Sequence, residues 1–338
     1  MLTSEKIKNT NQANQEEQDI FEQNQIIQTP GQLIMKRFLR NKLAILGVCI
    51  ILAISLFSFV GPFFSPYGEY EIFYINQTTG EEIRMTDTDK IKEKNVGVNV
   101  KAPMSAAHPL GTDADGRDVL TRLMYGGRIS LVFSVVVTII ELLLGVTLGG
   151  VAGYYGGKID YFLMAFTDVF LSIPFLPIVI LMGSMLSDLK VNPNMRIVAL
   201  MFMLGLLSWP SIARLVRGEI LSLREQEFMQ ATESLGLKDT RKIIKHLIPN
   251  VIPTIIVNAT LGVASAILTE SALSYLGMGV VEPTPSWGNM ISASNKAIDL
   301  QKRPWLWMPP GACMVITVMA VNLFGDALRD ALDPKKRR

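Results

Sequence analysis

Apolar runs alternate with polar stretches along most of this chain, and each run is close to the about 20 residues a helix needs to cross a bilayer. Six of them stand out, at 43–64, 129–154, 161–186, 197–216, 251–278 and 306–324. The pattern predicts an all-α integral membrane protein with six transmembrane helices. The fourth run is the most interrupted: its uncharged stretch stops at Arg214, with Trp209 and Pro210 near that end. Residues 1–30 carry no hydrophobic period and read as a disordered, solvated tail, while 31–41 fits a short basic helix lying on the membrane. The predicted organisation is therefore an interfacial helix with the first span over 31–64, an extramembrane segment over 65–128, a five-span core over 129–334, and a basic end over 335–338.

Between the fourth and fifth runs lies a polar loop, 217–250, with helical spacing of its own. Phe228, Ala231, Thr232 and Leu235 recur at i, i+3, i+4, i+7, which places them on one helix face. Gly236 is positioned to stop that helix, because glycine reaches the left-handed conformation without steric cost. Asp239 is the predicted N-cap of a second helix over 240–247, and Pro249 and Pro253 mark the next boundary.

Composition agrees with a membrane class: 49% of residues are hydrophobic, 18% are charged, and mean hydropathy is +0.32. A net charge of +2 points to no nucleic-acid partner. Placement of charge is more informative. Lys36, Arg37, Arg40 and Lys42 precede the first run and Lys335 to Arg338 close the chain, so both termini are expected in the cytoplasm. Six spans then put the 217–250 loop, with Arg224, Lys238, Arg241, Lys242 and Lys245, on the same side and 65–128 outside. Trp287, Trp305 and Trp307 are expected near the outer interface. Cys49 and Cys313 sit in apolar runs and form no disulfide framework, and no cleavable signal peptide is visible.

Three acids fall inside the spans: Glu141, Asp168 and Glu270. Each costs about 2.5–3.5 kcal/mol at mid-membrane, so each needs a helix–helix polar contact or a place along a translocation path. Pro174 and Pro177 follow Asp168 and suggest an irregular helix there. Gly145, Gly149 and Gly153 repeat every four residues, the spacing that lets a neighbouring helix approach closely. His108 with Asp113, Asp115 and Asp118 invites a metal reading, but counting from Asp113 puts Asp118 and Met124 where a calcium loop needs Gly and Glu. Turn formation and capping are the expectation instead, with no metal. Gly156-Gly157-Lys158 is no P-loop, since Ile159 replaces the Ser or Thr and Ala152 the first glycine. With His108 and His246 as the only histidines and no peptidase or hydrolase motif, catalysis is not expected. A stand-alone secondary transporter, with Asp168 or Glu270 carrying protons, stays open on these grounds.

The loop pattern Gln230-Ala231-Thr232, three residues, Gly236, nine residues, His246, then Ile248-Pro249 resembles the EAA loop of ABC-importer permeases. That family favours Glu, Ala, Ile and Leu where this chain has Gln230, Thr232, His246 and Ile248; the spacing is intact. Three more stretches are similar to the oligopeptide/dipeptide (peptide/nickel) branch, second-permease or "C" type: His108 to Asp113 running on to Ser130, Thr269 to Gly277, and Pro283 to Asn289. Together they cover about 31–334. The resemblance implies a type I importer permease of the bacterial cell membrane, in contact with lipid. It implies a coupling helix at Glu227, Gln230, Ala231, Thr232, Leu235 and Gly236, with Pro249 beyond. It also implies a second homologous permease, two ABC ATPases that bind ATP and Mg, and an extracytoplasmic peptide-binding protein. This chain itself would hold no cofactor. Cargo would be peptide, with nickel chelates or another small solute as the alternative. Pro283 to Asn289 would dock the binding protein, close a gate, or form a rigid re-entrant loop.

Overall fold

The structure is a computed structural model that describes residues 30–332. Apart from Pro30, the predicted polar tail lies outside the described residues, as does the basic end. Two helices open the chain, α1 (Pro30–Arg40) and α2 (Lys42–Phe59). The Asn41 side chain between them accepts from the Leu43 and Ala44 amides and starts the first span. A polar cap follows, with β1 (Phe73–Asn76), β2 (Glu82–Arg84), the short α3 (Thr88–Ile91) and β3 (Val96–Val98). Its three strands form an antiparallel sheet in the order β2-β1-β3, with Tyr74 opposite both Ile83 and Val98.

The remainder is helical: α4 (Val119–Tyr155), α5 (Gly157–Ser172), α6 (Phe175–Asp188), α7 (Pro193–Arg224), α8 (Glu227–Ser234), α9 (Asp239–Lys242), α10 (Ile248–Tyr275), α11 (Trp287–Ser292), α12 (Ala297–Lys302) and α13 (Met308–Leu332). Among the described residues, five helices are long and apolar enough to span a bilayer, or six if α5 and α6 count as one bent span. The predicted third span is thus broken, by 75°. Pro174 has no amide hydrogen to continue the ladder and holds Ile173 in an extended conformation, so the helix stops and restarts.

The second span begins at Val119, ten residues before its predicted start at 129, because the polar residues of its first turns are buried and paired rather than exposed. Asp118 caps it, accepting from the Thr121 amide at 2.7 Å. The fourth span runs on through Arg214 to Arg224, its arginines paired with acids of α5.

The most extensive helix contact is α4 against α7. Gly145, Gly149 and Gly153 face α7 so closely that a Cβ on Gly149 would lie 2.3 Å from the Ala213 carbonyl oxygen, and one on Gly153 2.9 Å from that of Arg217. Gly205 of α7 returns the arrangement under Ile140. Trp287 is wholly buried, its Nε1 donating to the Leu123 carbonyl at 3.1 Å, so it is a core anchor rather than the interfacial indole its amphipathic character suggests.

Candidate functional site

A cavity of about 500 Å³ opens among α4, the α5–α6 break, α7 and α10. Its walls are mostly apolar, with Phe170, Ile173 and Phe175 supplied by the break. Glu141 is the one charged residue in its lining. That carboxylate accepts no hydrogen bond from any described residue.

The other two membrane acids lie elsewhere. Glu270 is 1% exposed, and its carboxylate accepts from Ser130 at 2.9 Å and Ser274 at 2.7 Å. The same Ser130 oxygen accepts from the Trp287 amide at 3.4 Å, so Glu270 joins α4, α10 and α11 in one buried network away from the cavity lining. Asp168 pairs with Arg214 at 2.5 Å on a face this chain leaves exposed.

At one end of the bundle, α8 and α9 form the polar loop. Gly236 has φ +66, and the Gly236 and Leu237 amides donate to the Glu233 and Thr232 carbonyls, the double closure of a Schellman stop. Met229 and Thr232 turn into the bundle with Phe228 half-buried, whereas Ala231 is exposed and Leu235 is 77% exposed. Glu227, Gln230 and Pro249 are also exposed. The predicted N-cap moves too: Lys238 occupies that position and Asp239 is the first helical residue, its carboxylate accepting from the Tyr154 hydroxyl at 2.6 Å. The second helix is α-helical only to Lys242 and continues as a π-helical turn over Ile243–Leu247. Arg224 donates to the Tyr154 carbonyl at 3.0 Å, and Arg217 forms a paired salt bridge with Asp160. The end of α7 is thereby tied to α4 and α5, and the loop to α4 through Asp239.

The opposite end is built from charges that sequence spacing did not bring together. Arg122, 1% exposed, donates to Glu282 at 2.9 Å and to the Pro283 carbonyl at 3.1 Å. Its Nε lies 3.1 Å from Asp113 as an ion pair whose angle misses hydrogen-bond geometry. Arg117 reaches the same Glu282 at 2.5 Å. Asp299, fully buried, takes Lys101 and Arg303, and its hydrogen bond to Lys101 holds its carboxyl below the usual carboxylate range. Ser286 and Asn289 close a capping box on α11.

His108 joins the sheet to the second span: Nδ1 lies 2.8 Å from Asp118 and Nε2 3.1 Å from Glu82 of β2. Burial alone would lower its pKa, but the hydrogen bond to Asp118 and the charge of Glu82 outweigh that and raise it. Only the imidazolium can donate from both nitrogens at once. The predicted role in turns and capping describes Asp113 and Asp118: Asp113 accepts the Asp115 and Arg117 amides. Glu82 and Glu282 carried no local signal, since their partners are 26 and 165 residues distant.

A multi-span helical bundle around a mostly apolar cavity that holds one carboxylate, with a helical loop tied to its spans at one end, is the architecture of a membrane transport subunit. Residues 145–338 match the family described as binding-protein-dependent transport system inner membrane component, and residues 29–80 match the N-terminal TM domain of oligopeptide transport permease C. The chain is 37% identical over 302 residues to the oligopeptide transport system permease protein OppC of Haemophilus influenzae, covering 89% of this chain and 88% of that one. It is 36% identical to OppC of Bacillus subtilis, with 90% and 89% covered, and 38% identical to the dipeptide transport system permease protein DppC of the same species, with 90% and 85% covered. The chain belongs to the family of inner membrane components of binding-protein-dependent transport systems, and is a multi-pass membrane permease subunit working with other subunits of a transport complex.

Proposed function

We infer that the chain forms half of the translocation path of an ATP-driven peptide importer. The other half is a second homologous permease, two ABC ATPases bind the ATP and Mg and carry out the hydrolysis, and an extracytoplasmic binding protein delivers cargo. Both termini and the α8–α9 loop then face the cytoplasm, and the sheet and the Glu282 network face outward. The observation that carries the reading is the loop: Leu235 (77% exposed) and Ile244 (58% exposed) stand bare on a segment otherwise polar. That segment is strapped to α4 through the Tyr154–Asp239 bond and follows directly on α7, whose Arg217 is paired with Asp160 of α5. Exposed apolar residues with a polar rim are what a protein partner buries. A push on the α8–α9 loop would reach α4 through the Tyr154–Asp239 bond, and through the end of α7 it would reach α5 by Arg217–Asp160, moving the walls of the cavity. Names of the relatives support peptide as the cargo.

The test is uptake by proteoliposomes containing the whole complex with ATP inside the compartment facing the α8–α9 loop. ATP-dependent accumulation of a labelled short peptide that stops when binding protein is omitted supports the reading. Peptide uptake driven by a proton gradient without ATP would replace it with the secondary-transporter mechanism.

A further inference from the structure

The lining of the central cavity is chemically one-sided. Among the described residues Glu141 is its charged group, and no Lys or Arg lines it. Three of its polar neighbours have committed a donor hydrogen to their own helix backbones. Ser208 donates to the Leu204 carbonyl, Asn258 to that of Thr254 and Thr269 to that of Ser265, each at 2.9 Å. A serine or threonine hydroxyl has one donor and two lone pairs, so Ser208 and Thr269 present acceptors to the cavity, as does the Asn258 amide oxygen, while Ser211 and Ser265 add hydroxyls that can either donate or accept. Glu141 is itself without a protein partner, although a buried carboxylate normally finds one. Opposite it, α10 carries Gly262: a Cβ there would lie 3.5 Å from Glu141 Oε2, so the missing side chain leaves the carboxylate uncovered.

An unpaired carboxylate among uncharged polar groups that include several acceptors, in a space of about 500 Å³ with aromatic walls, is complementary to a compact cation that donates in several directions. A primary ammonium fits; an anionic group does not. We propose that Glu141 and the acceptors of α7 and α10 form a transient ammonium subsite, which receives the charged amino terminus of the cargo as it passes through the cavity. The subsite rests on the peptide-importer reading, and it adds a polarity to passage, since the amine is held on the α4 side of the path. A passing cargo must leave again, which suits one carboxylate with uncharged acceptors rather than a cage of several acids.

The experiment compares two tripeptides of the same sequence, one with a free amino terminus and one N-acetylated. Each is loaded on the binding protein to equal occupancy and assayed by initial uptake into proteoliposomes of the complete complex, per assembled complex. In Glu141→Gln the ratio of free to acetylated uptake should fall about tenfold, the scale of one charge-assisted hydrogen bond, and Glu141→Asp should recover most of it. Gly262→Val, which covers the carboxylate without altering it, should shift the ratio the same way and serves as the test if Glu141→Gln fails to assemble. Equal loss for both peptides would make Glu141 a structural strut and overturn the subsite, as would an unchanged ratio. If the wild-type complex imports neither peptide with ATP, the peptide-importer reading itself has failed and the subsite falls with it.

Discussion

The two ends of this bundle solve opposite problems. At the end that carries the sheet, charges converge in shared pairs: Arg122 and Arg117 share Glu282, Lys101 and Arg303 share Asp299, and His108 bridges Glu82 and Asp118. At the end that carries the α8–α9 loop, the large apolar residues Leu235 and Ile244 are mostly exposed. On the importer reading a partner covers that loop end, and its attachments through Tyr154 and Asp160 lead to the spans that wall the cavity. A subunit pushed from one end and held steady at the other is expected to divide its polar chemistry in this way.

Substitutions can break that division. The largest effect is expected for Arg122→Ala, which takes the cation from the mostly buried Asp113 and leaves Glu282 with Arg117 alone, and costs about 3 kcal/mol, the lower range for opening a buried pair. The check is abundance of folded protein in the membrane and its melting temperature in detergent. Gly149→Ala comes next. Its methyl would meet the Ala213 backbone at 2.3 Å, so α4 and α7 must separate, at about 1–3 kcal/mol, read as a lower detergent melting temperature.

Gly236→Val should leave assembly largely intact but weaken coupling. No atom lies within 4 Å of a Cβ at that position, so the penalty is backbone strain of about 1–2 kcal/mol at φ +66, which unwinds the end of α8. ATP hydrolysis per transported molecule should rise, whereas Gly236→Asn, which tolerates that conformation, should stay near wild type. Leu235→Ser should change melting by less than about 0.5 kcal/mol, being a surface change, yet weaken ATPase retention through purification.

A smaller, pH-dependent effect belongs to the end that carries the sheet. The folded-state pKa of His108 is raised, so its contribution to stability is fully present below the unfolded value near about 6.5 and is lost as pH rises through the folded value. Hydrogen exchange in β2 should therefore quicken above neutral pH beyond the intrinsic rate, and His108→Gln should remove the excess.

Much of the helical frame was legible because the bilayer imposes one length and one polarity on every span. Gly236, the four-residue glycine repeat and Pro174 were readable since each acts locally, through backbone conformation or close approach. What escaped was what distance conceals. No spacing rule joins Arg122 to Glu282 across 160 residues, and the three-stranded sheet has strands of only three or four residues, too short for a clear alternation. Which flank of α8 turns inward is hidden from the sequence for a related reason. Periodicity groups Phe228 with Leu235, but which flank of the helix turns inward depends on where α4 and α9 sit. The choice left open for Glu141, Asp168 and Glu270 needed the fold, which gives each acid a different setting: a cavity wall, a surface pair and a serine network.

The most direct test of the loop end is to place a single crosslinkable cysteine at Leu235 in a chain lacking Cys49 and Cys313. The complex is then crosslinked in native membranes, purified in mild detergent, and its partners quantified by mass spectrometry. Crosslinking of an ABC ATPase at Leu235, with two ATPases and a second permease recovered for each copy of this chain, is the expected result. Recovery of this chain alone and monodisperse, with no ATPase attached at Leu235, would contradict a loop built for docking and return weight to a transporter that works by itself.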